Sequence, residues 1–175
     1  MSAPTVPTLL STPFHADARG AFSKPFHTGV WEDVAFAVRE LYWTRSAKNC
    51  VRGLHFQTPP FDANKLVWVS SGSVVDVAVD VRPHAGYGEV TAVELSAKSG
   101  GAMWIPTGFA HGFQALEEDT VVNYAVDAPY APDHDSGILF SSLDFNWPLA
   151  IGTVSERDLA FVTLAEFDSP FEVGP

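Results

Sequence analysis

The sequence predicts an all-β fold, a sandwich or closed barrel with few helices. Three observations lead there. Short apolar segments alternate with a period of two, as strands with two distinct faces do. Turn-forming residues separate these segments about every 8–12 positions, the spacing of sandwiches and barrels. Stretches with helical periodicity are scarce. The elements follow in order along the chain. Val30 to Val38 reads as a short helix or a helix running into a strand. Val67 to Val69, the turn Ser70-Ser71-Gly72, and Val74 to Val81 read as strand, turn, strand. In the second of these strands Val75, Val77, Val79 and Val81 share one face, and Asp76, Ala78, Asp80 and Arg82 share the other. The acidic face is either solvent or a polar barrel interior holding a site. Further strands are expected at Val90 to Leu95, Ala102 to Ile105, Phe109 to Leu116 and Thr120 to Val126. Leu159 to Phe167 reads as a short terminal helix.

The 175 residues suit one domain with its own core, residues 1–175, ending in a C-terminal tail over 159–175. Apolar residues make up 46% of the chain, which argues for a globular protein over a disordered one. A single cysteine, Cys50, excludes an intrachain disulfide and a Cys-rich zinc site, and fits a reducing cytoplasm. No apolar run approaches the roughly 20 residues of a membrane span, and Met1 to Pro13 lacks a signal-peptide pattern. The net charge of −11 argues against polymeric nucleic acid and anionic membranes as partners. That charge is unevenly placed: residues 1–82 carry eight basic against seven acidic side chains, and residues 83–175 carry two against fourteen. The first half can therefore focus cations into one anion pocket.

Three segments carry chemistry: Val51 to Gln57 with Pro59, Pro60 and Lys65; Trp104 to Phe113; and Val122-Asn-Tyr124 with Tyr130-Ala-Pro132 and Trp147-Pro148. His55 titrates nearest neutral pH but, taken alone, reads equally as a hydrogen-bonded strand residue. Gln57 shares its face. Tyr124 can donate a proton, or fill a core between valines. Lys65 can stabilise an enolate or a phosphate, or lie on the surface. A metal-binding double-stranded β-helix (cupin) is similar to G-x5-H-x-H-x3,4-E followed by G-x5-P-x-G-x2-H-x3-N. Gly101, Pro106, Gly108 and His111 match the second motif in part, one residue short, with Ala115 in place of the Asn. The first motif fails, because Phe56 and Gln57 follow His55. The expectation is a cupin-type double-stranded β-helix, or jelly roll, without a metal.

Arg52-Gly-Leu-His-Phe-Gln57, Lys65, Gly72, Asp76 to Arg82, Tyr87-Gly88, Ile105 to Phe113, Trp147-Pro148 and Ser155-Glu-Arg-Asp158 follow one another in an order and spacing that resembles the dTDP-4-dehydrorhamnose 3,5-epimerase family. The likeness runs from about Phe14 to Asp158. It implies epimerisation of a nucleotide-linked 4-keto-6-deoxy-hexose beside its ketone, without a cofactor, in deoxysugar biosynthesis. By this resemblance His55 is the base, Asp158 holds its ring, Tyr124 is the opposing acid, and Lys65 stabilises the enolate. Phe14, Arg19, Lys24, Arg52, Gln57, His111, Asp135 and Arg157 match substrate-contacting positions. The family forms homodimers through exchanged N-terminal strands, so Phe14, Arg19 and Lys24 would reach the partner's pocket. Strict alternation puts Arg52 and His55 on opposite faces, so if both serve one pocket a bulge or strand end lies between them.

The chain departs from the family pattern in places. Lys24 replaces a Glu in Arg19-Gly-Ala-Phe-Ser-Lys24, and Glu40-Leu41-Tyr42 replaces Gln-x-Asn. Asp135 replaces a Glu, and the loop Arg82 to Gly88 is shortened. These changes fall where sugar and nucleotide are gripped. They point to a retained epimerase with altered substrate or regiochemistry, acting at C3, C5 or both. Two rival readings stand beside it: a sugar 3,4-ketoisomerase, which would need further histidines after His55, and a non-catalytic sugar-nucleotide or small-molecule binding protein.

Overall fold

Period-two alternation is realised as two five-stranded antiparallel sheets packed face to face. The computed structural model describes residues 3–26 and 36–172. One sheet has the order β1 (Thr8–Leu10), β9 (Ala102–Ile105), β6 (Lys65–Ser71), β11 (Thr120–Val126) and β4 (Glu40–Ser46). The other has β12 (Asp135–Gly137), β5 (Val51–Gln57), β10 (Phe109–Ala115), β7 (Ser73–Asp80) and β8 (Val90–Ser96). A separate hairpin pairs β2 (Phe14–Asp17) with β3 (Gly20–Ser23). Among the described residues, one short α-helix, α1 (Glu156–Leu159), follows the strands. This is the cupin-type jelly roll. The chain passes from β6 to β7 through Gly72, so that turn carries it from one sheet to the other.

The space between the sheets is filled by Val67, Val74, Ala78, Leu95, Met103, Ile105, Phe113 and Val122, with Tyr124 at the edge of the same cluster. The outer face of the second sheet is buried too. Val77, Val79 and Val81 pack there against Leu54, Phe56, Ile138 and Leu143, under Phe167 and Phe171 of the C-terminal segment. Asp76 and Asp80 therefore face the interior, 0% and 4% exposed, and the solvent reading of that face is excluded. Asp80 is satisfied by Arg82 and His84, and the Arg82 guanidinium lies 4.5 Å from the Phe109 ring.

Most expected strands lie where the alternation puts them, with β9 and β11 agreeing at both ends. The expected helix at Leu159 to Phe167 is a correction. Helical structure stops at Leu159, Val162 bridges to Ile138, and a single 3-10 turn follows at Leu164–Glu166. Two separate caps divide the segment: Ser155 accepts from the Asp158 N–H, and Thr163 forms a capping box with Glu166. The expected element at Val30 to Val38 falls largely outside the described residues; Phe36 to Val38 have no regular structure.

β5 carries the bulge that the face argument requires. His111 pairs with His55 and Phe113 with Arg52, so three steps on β5 oppose two on β10. Gly53 sits in the bulge at φ +117°, a conformation that L side chains rarely adopt. A Cβ there would lie 2.7 Å from the Gly112 Cα. Gly53→Ala is expected to destabilise the fold by about 1–3 kcal/mol, read as a melting-temperature fall on the order of 2–10 °C. A thermal melt unchanged within error would show that the bulge tolerates a side chain.

Candidate active site

Five strands and the short helix aim polar side chains at one end of the barrel. β5 supplies Arg52, His55 and Gln57; β6 supplies Lys65; β10 supplies His111; β11 supplies Tyr124; β4 supplies Glu40, Tyr42 and Thr44. They line two connected spaces. An outer cavity of about 450 Å³ is bounded by Glu40, Gln57, Tyr130, Asp135 and Arg157. An inner cavity of about 130 Å³ is bounded by Arg52, Thr44, His111 and Tyr124. Tyr42, His55 and Lys65 line both. A third cavity, about 420 Å³, opens beside Cys50, Arg52, Arg157 and Asp158, and His55 borders this one as well.

His55 Nε2 lies 2.9 Å from Asp158 Oδ1. A carboxylate only accepts, so the proton sits on Nε2 and the lone pair is left on Nδ1, the state of a base. The second Asp158 oxygen accepts from the Gly53 N–H at 2.9 Å. Burial raises the Asp158 pKa, but hydrogen bonds from His55 and Gly53, the His55 charge and Ser155 outweigh it and bring it down to about 2. Phe161 meets the His55 ring edge-on at 5.6 Å.

Lys65 donates to the His55 carbonyl at 3.0 Å. Burial lowers its pKa to about 8, against the opposing pull of Asp135 and Asp76. Tyr124 is 7% exposed, and burial pushes its phenol well above the ordinary tyrosine range. Its ring stacks on Tyr42 and meets His111 edge-on. His111 Nε2 lies 2.8 Å from Asp76 Oδ1, both buried, while Asp76 Oδ2 has no partner. Among the described residues, no three His, Cys, Asp or Glu side chains converge as a metal site would require.

The structure brings His55, Asp158, Lys65, Tyr124, Arg52, His111, Asp135, Arg157 and Gln57 together. Gln57 is already committed to the backbone: its amide donates to Phe61 and Pro129 carbonyls and accepts from the Ala131 N–H. Arg157 is tied to Asp135 at 2.7 Å, and Tyr130 donates to the same carboxylate. Three positions lie elsewhere. Phe14 packs on Gly100, Arg19 pairs with Asp17 on the hairpin, and Lys24 sits 5.8 Å from the Phe22 ring. None lines these cavities of its own chain. Sequence reasoning missed Thr44 and Phe161, and it singled out the segment of Tyr130 without giving that residue a role. Alternation along β4 held the signal for Thr44, since 42 and 44 share a face.

An imidazole held by a carboxylate, with a phenol and a lysine around one barrel cavity, is the arrangement acid–base chemistry requires, here on a jelly-roll scaffold. Residues 7–166 match the family model described as dTDP-4-dehydrorhamnose 3,5-epimerase. A dTDP-4-dehydrorhamnose 3,5-epimerase of Sinorhizobium fredii is 39% identical over 164 residues, covering 89% of this chain and 84% of that one. The crystal structure of dTDP-6-deoxy-D-glucose-3,5-epimerase from Legionella pneumophila, in complex with dTDP-4-keto-L-rhamnose, is 31% identical with a TM-score of 0.87, covering 93% and 89%. A 3'-monoepimerase from Streptomyces bikiniensis, in complex with dTDP-quinovose, is 26% identical with a TM-score of 0.84, covering 94% and 88%. The chain belongs to the dTDP-4-dehydrorhamnose 3,5-epimerase family and is an enzyme of the isomerase class.

The depressed Asp158 pKa has a sign that can be checked. An unfolded aspartate titrates near 3.9, so the stabilising charge is fully present above that value. It is lost as pH falls toward about 2. Chemical denaturation of wild type should therefore show stability falling across that window. Asp158→Asn, which cannot titrate, should have a shallower acid limb; parallel limbs would show that the carboxylate is not held as described.

Proposed function

We propose that the chain epimerises a dTDP-linked 4-keto-6-deoxy-hexose, dTDP-4-keto-6-deoxyglucose being the test substrate, at a carbon beside the ketone. The observation that carries this reading is the His55–Asp158 pair, placed where all three cavities meet, with Tyr124 and Lys65 on the inner walls. His55 takes the C–H proton, and the bond's electron pair moves toward the carbonyl oxygen as an enolate. Lys65, as a cation, stabilises that oxygen. Tyr124 returns a proton to the other face, which inverts the centre. The step is redox-neutral. It leaves His55 protonated and Tyr124 as phenolate, so one proton must pass between them, or through solvent, before the next turnover. Arg52 and Arg157 supply charge for a diphosphate, and Asp135 orients Arg157.

A homodimer completes the proposal. The β2–β3 hairpin is largely exposed, with Phe22 55% accessible, and a lone two-stranded hairpin is only marginally stable in water. Docking on a second copy would bury it and carry Phe14, Arg19 and Lys24 to that copy's cavity. No helix among the described residues is long and apolar enough to cross a membrane. The single cysteine fits action in a reducing cytoplasm.

Incubation with dTDP-4-keto-6-deoxyglucose in deuterated water should place deuterium at C3, C5 or both, read by NMR. His55→Ala should lower exchange by about 10²–10⁴-fold, and exchange at the wild-type rate would show another base. Tyr124→Phe should slow inversion more than washout of the substrate proton. Because Lys65 loses its charge near pH 8, kcat/KM should fall as pH rises through that value, and Lys65→Met should remove this limb. Arg19→Ala mixed with His55→Ala should recover about a quarter of wild-type activity, since half the dimers are mixed and each has one complete site. No recovery would place Arg19 outside the partner's site.

A further inference from the structure

Tyr42 stands where the family pattern has a small amide, and its surroundings give it a definite task. β4 and β11 pair so that Tyr42 lies directly opposite Tyr124. Directly opposed strand residues have their Cβ atoms about 5 Å apart, and here the two rings stack with centroids 4.7 Å apart and planes 14° from parallel. Leu41 and Trp43 point outward, 68% and 61% exposed, whereas alternation turns Tyr42 to the other face, where it lines the cavities while staying 42% accessible. The edge of His111 meets the Tyr124 ring at 6.0 Å, and His111 is itself anchored to Asp76. The Tyr124 phenol is thus clamped between the Tyr42 face and the His111 edge. Tyr42 also borders both the outer and the inner cavity, which places its ring at the passage between them.

The chemistry of a 4-ketosugar gives this clamp a consequence. C3 and C5 flank the same carbonyl on opposite sides of the ring. One acid can serve both carbons only if the phenol swings or the sugar slides between two positions. A stacked phenol does not swing freely, and a ring in the passage limits sliding.

We propose that Tyr42 is a specificity-determining residue that confines proton return from Tyr124 to one of the two carbons beside the ketone. The inference rests on the epimerase reading above and adds regiochemistry to it. Tyr42 acts through the position of Tyr124 and of the sugar ring.

The test is the ratio of deuterium incorporation at C3 and C5, measured by NMR on dTDP-4-keto-6-deoxyglucose in deuterated water. Wild type should favour one carbon on the order of tenfold or more. Tyr42→Asn should bring the two carbons within about threefold of each other. Tyr42→Phe, which keeps the stack, should keep the wild-type ratio. Tyr42→Leu replaces the ring without a polar group and should relax the ratio as Asn does, so it serves if the Asn variant does not fold; circular dichroism checks both. Equal incorporation in wild type, or an unchanged ratio in both Asn and Leu variants, overturns the role of Tyr42 and leaves the epimerase standing. Deuterium at neither carbon, with substrate bound, overturns the epimerase reading and this role together.

Discussion

The hydrogen bond from the Gly53 N–H to the Asp158 carboxylate joins the backbone of the barrel to the chemistry of its cavity. It exists because β5 bulges. The bulge needs a residue that adopts positive φ and leaves room for Gly112, and glycine meets both conditions. One irregularity therefore does two things. It turns Arg52 and His55 toward the same space, and it frees an amide to fix the carboxylate that orients His55. Without it, alternation would send one of the two side chains into the opposite face. The same carboxylate holds its charge because three donors surround it, which offsets the cost of burying it.

Burial on both sides of the second sheet explains how Asp158 reaches that amide. Val77, Val79 and Val81 need a cover, and the segment after β12 supplies it through Leu143, Leu164, Phe167 and Phe171. As the chain crosses this face it brings Arg157, Asp158 and Phe161 to the rim of the cavity. Packing and the lining of the cavity are thus served by one stretch of chain. Asp76 and Asp80, on the opposite face of β7, show how such a sheet accommodates acids: Asp80 is closed off by Arg82 and His84, whereas Asp76 keeps one oxygen unpartnered near the inner cavity.

Much of this was legible in the residues. Alternation located β9 and β11 end to end, and the spacing of Arg52 and His55 meant that one shared pocket needed a bulge or a strand end between them, of which β5 has the bulge. The motif positions His55, Lys65, His111, Tyr124 and Asp158 do meet. What escaped is instructive. The apolar residues of Leu159 to Phe167 mimic a helical face, but they are spaced by the need to cover a sheet, and the capping box at Thr163 interrupts them. Arg19 and Lys24 read as part of one cationic pocket, yet in their own chain they lie on the hairpin, and the cavity instead balances Arg52, Lys65 and Arg157 against Glu40, Asp135, Asp76 and Asp158. Charge counted along the chain carries no information about which cavity it enters. The stacking of Tyr42 on Tyr124 depends on strand register, which a list of residue types does not contain.

The covering segment also fixes an order in time. Lys65, His111 and Tyr124 leave the ribosome before Asp158, and both sheets can assemble before the carboxylate exists as part of the chain. A polypeptide arrested after β11 would hold a phenol, a lysine and an unoriented imidazole, but not the aspartate that fixes the imidazole's tautomer. His55 thus meets its carboxylate only when the stretch of chain that covers the second sheet's outer face has been made. The orientation of the imidazole is thus settled late in the synthesis of this chain.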